Sequence, residues 1–363
     1  MNISDKKIGV AVIGCGRISG HHCLSIKSNP NFELLAVCDI DFHKAEDYGV
    51  KYGVPSYSNY HKMLQESSAI DLVVIATPSG MHYEHAKDII LKYKKSLVVE
   101  KPTFLRTSHV EEIYNLASQF NIDVFAVFQN RHNRAVQKVI NGIKSGELGK
   151  INSVSIRVRW CRQQSYYDQA EWRGTYSMDG GCLTNQGIHH IDLLRFLAGE
   201  IKRVICIKNT VGADIEVEDM AFGLVEYHNG QIGSIEITTA ARPIDFEASI
   251  SLVCANGLAQ IGGIAVNELQ IYTPDLSACN AFSEDFSGNV YGNGHNSIYL
   301  NIASYYAGDI GHPSPKEDVF STIQLLNALY LSSERNEWVE VSTAVDSLRL
   351  GESSEELRSL YTT

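Results

Sequence analysis

The 363 residues hold 31 Lys and Arg against 42 Asp and Glu, a formal net charge of -11, and like-charge repulsion excludes a chain-wide surface for nucleic acid. Hydrophobic residues make up 44%, enough for a fully globular chain, and the length exceeds one typical core, which predicts two domains of unequal size. Eight scattered cysteines without a C-x-x-C pair exclude a cysteine zinc site and read as reduced, mostly buried thiols.

The first residues, "MNISDKKIGVAVIG", set a charged pair before a short apolar run, which is neither a signal peptide nor a membrane span. A cytoplasmic protein with no membrane partner is the expectation. Nothing recurs at a fixed period, so solenoids and propellers are excluded. From residue 8 to 128 the runs "IGVAVIG", "ELLAVCD", "DLVVIATP", "SLVVEKP" and "DVFAVF" alternate with longer mixed stretches such as "YSNYHKMLQESSA" and "SGMHYEHAKDIILKYKK". Continuous β-branched strands joined by helices predict a doubly wound parallel sheet, hence an α/β fold class.

After about residue 130 the strands alternate: "INSVSIRVRW", "RVICIKNTV", "DMAFGLVEYHNGQIGSIEITTA" and "ASISLVCANGLAQIGG", with "HNG" and "ANG" as hairpin turns. "EDVFSTIQLLNALYLSSER" has helical spacing and closes the chain. The expected division is a dinucleotide-binding domain over 1–128 and an α+β domain over 129–363, with a mostly antiparallel sheet for substrate binding and oligomerisation. An apolar sheet face that no segment covers predicts a homodimer or homotetramer.

"VIGCGRISGHH" supplies Gly14 and Gly16 of a dinucleotide fingerprint, with Ser19 in place of the third glycine. Asp39, twenty-three residues after Gly16, is placed to accept ribose hydroxyls or to end a strand. No Arg or Lys follows among Ile40, Asp41 and Phe42 to neutralise a 2′-phosphate, which favours NAD over NADP. Thr77-Pro78 in "IATPSGMHYEHA" is a stiff turn at the sheet's carboxyl edge, and His82 reads by itself as a helix-start residue.

The strand-ending Glu100-Lys101-Pro102 of "VVEKPTF", after "GCGRIS" and "IATPSGMH", resembles the Gfo/Idh/MocA oxidoreductase family over nearly the whole chain. The resemblance implies an N-terminal Rossmann domain and a C-terminal open-faced sheet. It further implies cofactor contacts from Gly14, Gly16, Arg17, Ile18, Asp39, Ala76, Thr77, Pro78, His82, Glu100, Lys101 and Gln129, with Lys101 beside the nicotinamide ribose and Glu100 either setting the position of Lys101 or contacting the cofactor carboxamide region. A lysine near a positively charged ring, or desolvated, has a lowered pKa and helps move a hydroxyl proton.

"DGGCLTNQGIHHID" brings the second set of polar groups. If "LTNQGIHHIDLLRFLAG" is a helix entered through Gly180-Gly181, Asn185 and His189 are four apart on one face and Asp192 reaches the same edge, while His190 points elsewhere. His189 suits the role of proton acceptor and Asn185, where many family members have Asp, that of an orienting group. Adjacent histidines diverge on a helix, so no metal is expected at His189, His190 and Asp192.

Arg131, Arg134, Arg157, Arg159, Arg162 and Arg173 gather in "NRHNR" and "RVRWCRQQSYYDQAEWRG" and suit either capture of an anion or pairing with acids on the sheet. Tyr166, Tyr167 and Trp172 among them stack on a sugar or base, or pack the sheet. His295 and Tyr299 of "GNGHNSIYLNIASY" are candidate rim residues of the pocket, or caps of a helix. The wording from "FQNRHN" to "QGIHHIDLL" is similar to the bacterial nucleotide-sugar 3-dehydrogenase branch of the family. That similarity implies NAD-dependent oxidation of an anionic, UDP-N-acetylglucosaminuronate-like sugar in surface-sugar biosynthesis, with Arg131, Tyr167, Trp172, Arg173, Asn185, His189, His295 and Tyr299 on the substrate. An inositol or simple-sugar dehydrogenase, a ketosugar reductase and an NAD-sensing regulator on the same fold are the alternatives.

Overall fold

The computed structural model describes residues 7–286 and 292–362, which form two units. The first begins with β1 (Ile8–Ile13), α1 (Ser19–Ser28), β2 (Phe32–Cys38), α2 (Phe42–Tyr52), β3 (Ser56–Tyr57), α3 (Tyr60–Glu66), β4 (Leu72–Ile75), α4 (His82–Tyr93), β5 (Ser96–Val99), α5 (Thr107–Phe120) and β6 (Val124–Ala126). Among the described residues its six strands are ordered β3-β2-β1-β4-β5-β6 and every pair is parallel. The central strands are buried on both faces, which is why their sequences are unbroken apolar runs. Strand order reverses between β1 and β4, so the turns after Ile13 and Ile75 flank the crevice where open α/β sheets bind ligands.

The second unit contains α6 (Arg134–Lys144), β7 (Ile151–Arg159), α7 (Gln164–Tyr167), α8 (Ile188–Ala198), β8 (Ile201–Asn209), β9 (Met220–Tyr227), β10 (Ile232–Thr238), β11 (Glu247–Cys254), β12 (Leu258–Gly262), β13 (Glu268–Tyr272) and α9 (Ala278–Phe282). The chain continues with α10 (Gly294–Ala307), α11 (Lys316–Arg335), β14 (Val339–Glu340) and α12 (Glu355–Ser359). Among the described residues the second sheet has eight strands, β13-β12-β11-β7-β10-β9-β8-β14, in which only the β7–β10 pair is parallel. The two hairpin turns fall where the sequence placed them, at β9–β10 and β11–β12.

Alternation sorts the sheet's residues: Val154, Ile156 and Val158 of β7 are buried, with α8 packed on that strand, while Ser155, Arg157 and Arg159 face the other way. That other face carries the cross-strand pair Ile207 and Phe222, both exposed, beside exposed Leu224. No described helix is long and apolar enough to cross a membrane.

The division differs from the expected 1–128 and 129–363. Residues 295–320 and 353–363 belong to the first unit, although the sequence reading assigned them to the second. The reason is packing: Ile298, Tyr299, Ile302 and Ala303 of α10 join Val10, Val12, Cys23, Ile26 and Phe32 in one buried cluster.

Candidate active site

In the first unit the turn after β1 is built around Gly14, whose φ of 91° is strained for any side chain and whose Cβ would stand 2.5 Å from the Ala76 carbonyl oxygen. A Cβ on Gly16 meets nothing within 4 Å, so space is open above it, with exposed Arg17 and half-buried Ile18 alongside. Ser19 is more than a small residue at the third position. Its hydroxyl is buried and donates to the Gly14 carbonyl at 2.5 Å, tying the start of α1 to the turn. Asp39 Oδ2 accepts from the Cys15 amide at 2.7 Å and Oδ1 from the Asp41 amide at 2.9 Å, so this half-buried acid holds the fingerprint turn from the end of β2. A glycine turn, a helix start and an acid in these places fit a dinucleotide.

After β4, Ala76, Thr77 and Pro78 are half-buried, and Thr77 bonds His85 at 3.0 Å. His82 is not an open helix-start residue: it is buried, with its ring nitrogens 2.9 Å from the Thr77 and Pro102 carbonyl oxygens, a strut between two turns. Glu100 sits one residue past β5 and Lys101 precedes a cis bond to Pro102. The Glu100 side chain is buried; Oε2 accepts from the Lys101 amide at 3.0 Å, and Oε1 is 2.8 Å from His22 Nε2 and 3.2 Å from His295 Nε2. Burial works to raise the Glu100 pKa, but the two histidine donors outweigh it and hold the carboxyl well below the usual range.

His295 and Tyr299 therefore require correction. Neither lies at a rim: they are 2% and 0% exposed, and the Tyr299 hydroxyl bonds His22 Nδ1 at 2.8 Å. The residue the sequence reading passed over is His22. Its signal was the second histidine of "SGHH", one turn into α1 on the side that faces the sheet.

In the second unit, residues 179–187 form a hydrogen-bonded turn and the helix starts only at Ile188, so Asn185 precedes α8 and does not share its face with His189. Gly181 packs directly on the buried Glu218 carboxylate, leaving no room for a Cβ. Its amide donates to the Tyr330 hydroxyl at 3.0 Å, Tyr330 donates to Glu218 Oε1 at 2.7 Å, and the Leu183 amide reaches the same oxygen at 3.2 Å. Asn185 Nδ2 donates to Asp179 Oδ1 at 2.6 Å. Asp179, Glu218 and Tyr330 hold this turn and were missed, because their partners lie far away in sequence or show no pattern.

His189 is 7% exposed and its Nε2 stands 3.0 Å from Gln129 Nε2. With the amide donating, the ring proton is on Nδ1 and Nε2 is the basic nitrogen. Gln129 Oε1 is buried with no hydrogen-bond partner among the described residues, an acceptor that a carboxamide or a sugar hydroxyl would satisfy. His190 is fully buried against Trp160, and burial pushes its pKa down to about 4.

Asp192 does not reach the His189 edge: it takes Arg131 in a two-pronged pair, 2.7 Å from Nε and 2.5 Å from Nη2. Arg131, read as a substrate residue, is thereby committed to the core. Arg157 and Arg159 pair with Glu236 and Glu247, and Arg162 with Asp245, while Arg134 donates to the Ala281 carbonyl. Tyr167 is buried with its hydroxyl on Thr239 at 3.0 Å, a packing residue. Arg173 differs: half-buried, it stacks on Tyr166 at 4.4 Å and Trp172 at 4.6 Å, has no carboxylate partner among the described residues, and its buried Nε is unbonded.

Residues 8–127 match the model of the oxidoreductase family with an NAD-binding Rossmann fold, and residues 136–260 match the GFO/IDH/MocA C-terminal domain. Among solved structures, the WlbA dehydrogenase of Bordetella pertussis, in complex with NADH and UDP-GlcNAcA, is similar at 31% identity and a TM-score of 0.86, over 93% of this chain and 98% of that one. The oxidoreductase YfiI of Bacillus subtilis (strain 168) is 28% identical over 256 residues, 64% of this chain and 65% of that one. The D-glucoside 3-dehydrogenase of Escherichia coli (strain K12) is 26% identical over 258 residues, 66% of this chain and 72% of that one.

Proposed function

Because the chain belongs to the GFO/IDH/MocA oxidoreductase family and carries its NAD-binding Rossmann fold, we propose that it oxidises the carbon-3 hydroxyl of an anionic nucleotide sugar resembling UDP-N-acetylglucosaminuronate. NAD, when bound, supplies the hydride acceptor. Gly14, Gly16, Ser19 and Asp39 form its cradle. The Nε2 of His189, whose lone pair the Gln129 amide holds at 3.0 Å, takes the hydroxyl proton once the substrate hydroxyl displaces that donor, as the carbinol hydrogen leaves as hydride to NAD and the ketone forms, with Lys101 as the second proton-handling group. Asn185, fixed by Asp179, orients the hydroxyl.

Arg173 is the observation that carries the anionic substrate. A guanidinium over the Tyr166 and Trp172 rings, with no carboxylate partner and an unbonded Nε among the described residues, is prepared for an oxyanion. A smaller neutral sugar is the second reading, favoured by the pairing of Arg131, Arg157, Arg159 and Arg162 with acids. The open face of the second sheet, with Ile207, Phe222 and Leu224, is proposed to join subunits in a homodimer or homotetramer, and surface-sugar biosynthesis in the cytoplasm is the proposed setting.

The test is reduced-nicotinamide absorbance from the purified chain with NAD and a panel of UDP-sugars, with and without a uronate carboxylate, beside free sugars and inositols. Turnover is expected for the uronate, with Arg173→Met raising KM for it at least about tenfold, the range for loss of one charge-assisted bond. Turnover that survives Lys101→Ala combined with His189→Ala would sink the assigned roles. NAD binding with no turnover on any sugar would favour a sensor.

A further inference from the structure

We infer that His22 and His295 are positioning residues that clamp the Glu100 carboxylate, and that this carboxylate in turn fixes the main chain of Lys101. The inference rests on the reading of Lys101 as a proton-handling residue.

The sheet ladder ends at this point. The Glu100 amide still bonds the Ile75 carbonyl of β4 at 3.0 Å, but the next amide, that of Lys101, turns to Glu100 Oε2. The direction in which Lys101 leaves the sheet is therefore set by a side chain, and a side chain has rotamer freedom that a ladder lacks. His22 and His295 remove that freedom by converging on the other oxygen, Oε1. The protons balance with both imidazoles neutral: each Nε2–H donates to Glu100, and the Tyr299 hydroxyl donates to His22 Nδ1. Glu100 then accepts three bonds as an anion, the pattern that keeps a buried carboxylate ionised.

Four polar side chains, from α1, the residue after β5, and α10, are thus buried around one amide. Burying such groups is seldom the most stable way to fill a core, which points to placement of Lys101 as what they secure. A bound metal is the competing explanation, since the three ligand atoms lie within 4.8 Å of one another. A tetrahedral ion with bonds of about 2.1 Å needs its ligands about 3.4 Å apart. The observed 2.8 and 3.2 Å are hydrogen-bond lengths.

The experiment compares full-length His295→Leu and His295→Gln. Glutamine offers a donor to Glu100 and leucine does not. With a sugar that is turned over, His295→Leu is expected to lower kcat roughly ten- to a hundredfold, as displacement of a reacting group by about 1 Å does. KM for NAD should stay within about threefold, and His295→Gln should recover kcat to within about threefold. Hydrogen exchange of the Lys101 amide without NAD, followed in a peptide spanning 99–103, should quicken at least about tenfold in His295→Leu and return in His295→Gln.

Unchanged exchange and kcat in His295→Leu, or equal losses in both folded variants, would overturn the inference. So would a stoichiometric metal that survives dialysis and is lost with His295→Leu. If the leucine variant does not fold, Tyr299→Phe replaces it and should lower kcat about threefold or more by freeing His22 Nδ1; an unchanged kcat there overturns the clamp. Full turnover in Lys101→Ala would defeat the functional reading, whereas exchange at the Lys101 amide tests the clamp regardless.

Discussion

Replacing Arg131 by alanine is expected to destabilise the second unit by about 3–5 kcal/mol, the usual consequence of breaking a buried ion pair from one side. Both donors of the guanidinium fork are used on Asp192, at 2.7 and 2.5 Å, and its Cζ lies over the Phe128 and Phe196 rings at 4.4 and 4.7 Å. Alanine would leave Asp192, 1% exposed, with the Thr322 hydroxyl at 2.9 Å as its partner, so the loss tends to the lower end of that range. For a unit of roughly 200 residues each kcal/mol moves Tm by about 2–4 °C, which gives a drop of roughly 6–20 °C. Thermal and urea unfolding, followed by tryptophan fluorescence and circular dichroism, read this directly. The double variant Arg131→Met with Asp192→Leu should recover most of the loss, because an apolar pair leaves no charge behind. An Arg131→Ala protein that melts like the parent but binds its nucleotide sugar far more weakly would refute the structural role and restore the substrate role.

Gly14→Ala should destabilise the first unit by at least about 1–3 kcal/mol and weaken NAD binding, because both its φ and the Ala76 carbonyl oppose a methyl group. Gly16→Ala should leave the melt unchanged and still raise Kd for NAD, so equal melting of the two variants would contradict the geometry. His190 has a folded pKa near 4 against 6.5 in the open chain, so the unfolded state takes up the proton first as pH falls. Its contribution is present above pH 6.5 and is lost between 6.5 and 4, up to about 3 kcal/mol, and His190→Phe should flatten that part of the stability curve. Asn185→Asp would set a second carboxylate against Asp179 Oδ1, now 2.6 Å from the amide nitrogen. One of the two acids must then hold a proton, so kcat/KM should gain a new acidic limb within the assay range; an unchanged pH profile would refute the contact.

The first sheet was legible because β1, β4 and β5 are buried on both faces and write that burial as short, mostly apolar runs rich in valine. The edge strand β3 was not, since two residues, Ser56 and Tyr57, carry no period. The glycine turn and Asp39 were found by spacing, which is local information. The start of α8 was misplaced because the turn over 179–187 makes its own bonds to Glu218 and Tyr330, partners that no window of sequence contains. Charge was misread for a related reason. Arg131, Arg157, Arg159 and Arg162 look available in a list of residues, and only the folded sheet and α8 bring Asp192, Glu236, Glu247 and Asp245 against them. His295 and Tyr299 went astray because a helix that returns to the first unit carries no mark of its destination.

That return has a consequence for how the protein is made. Val10, Val12 and Ile26 leave the ribosome long before Ile298, Tyr299, Ile302 and Ala303, which complete the cluster they build. The nascent NAD-binding unit must wait, with part of its interior uncovered, until α10 has been synthesised. A chain cut near residue 127 would keep Gly14 and Gly16 of the fingerprint and lack the α10 side chains that close the core behind them, so the stability of the unit depends on residues far outside its own Rossmann stretch.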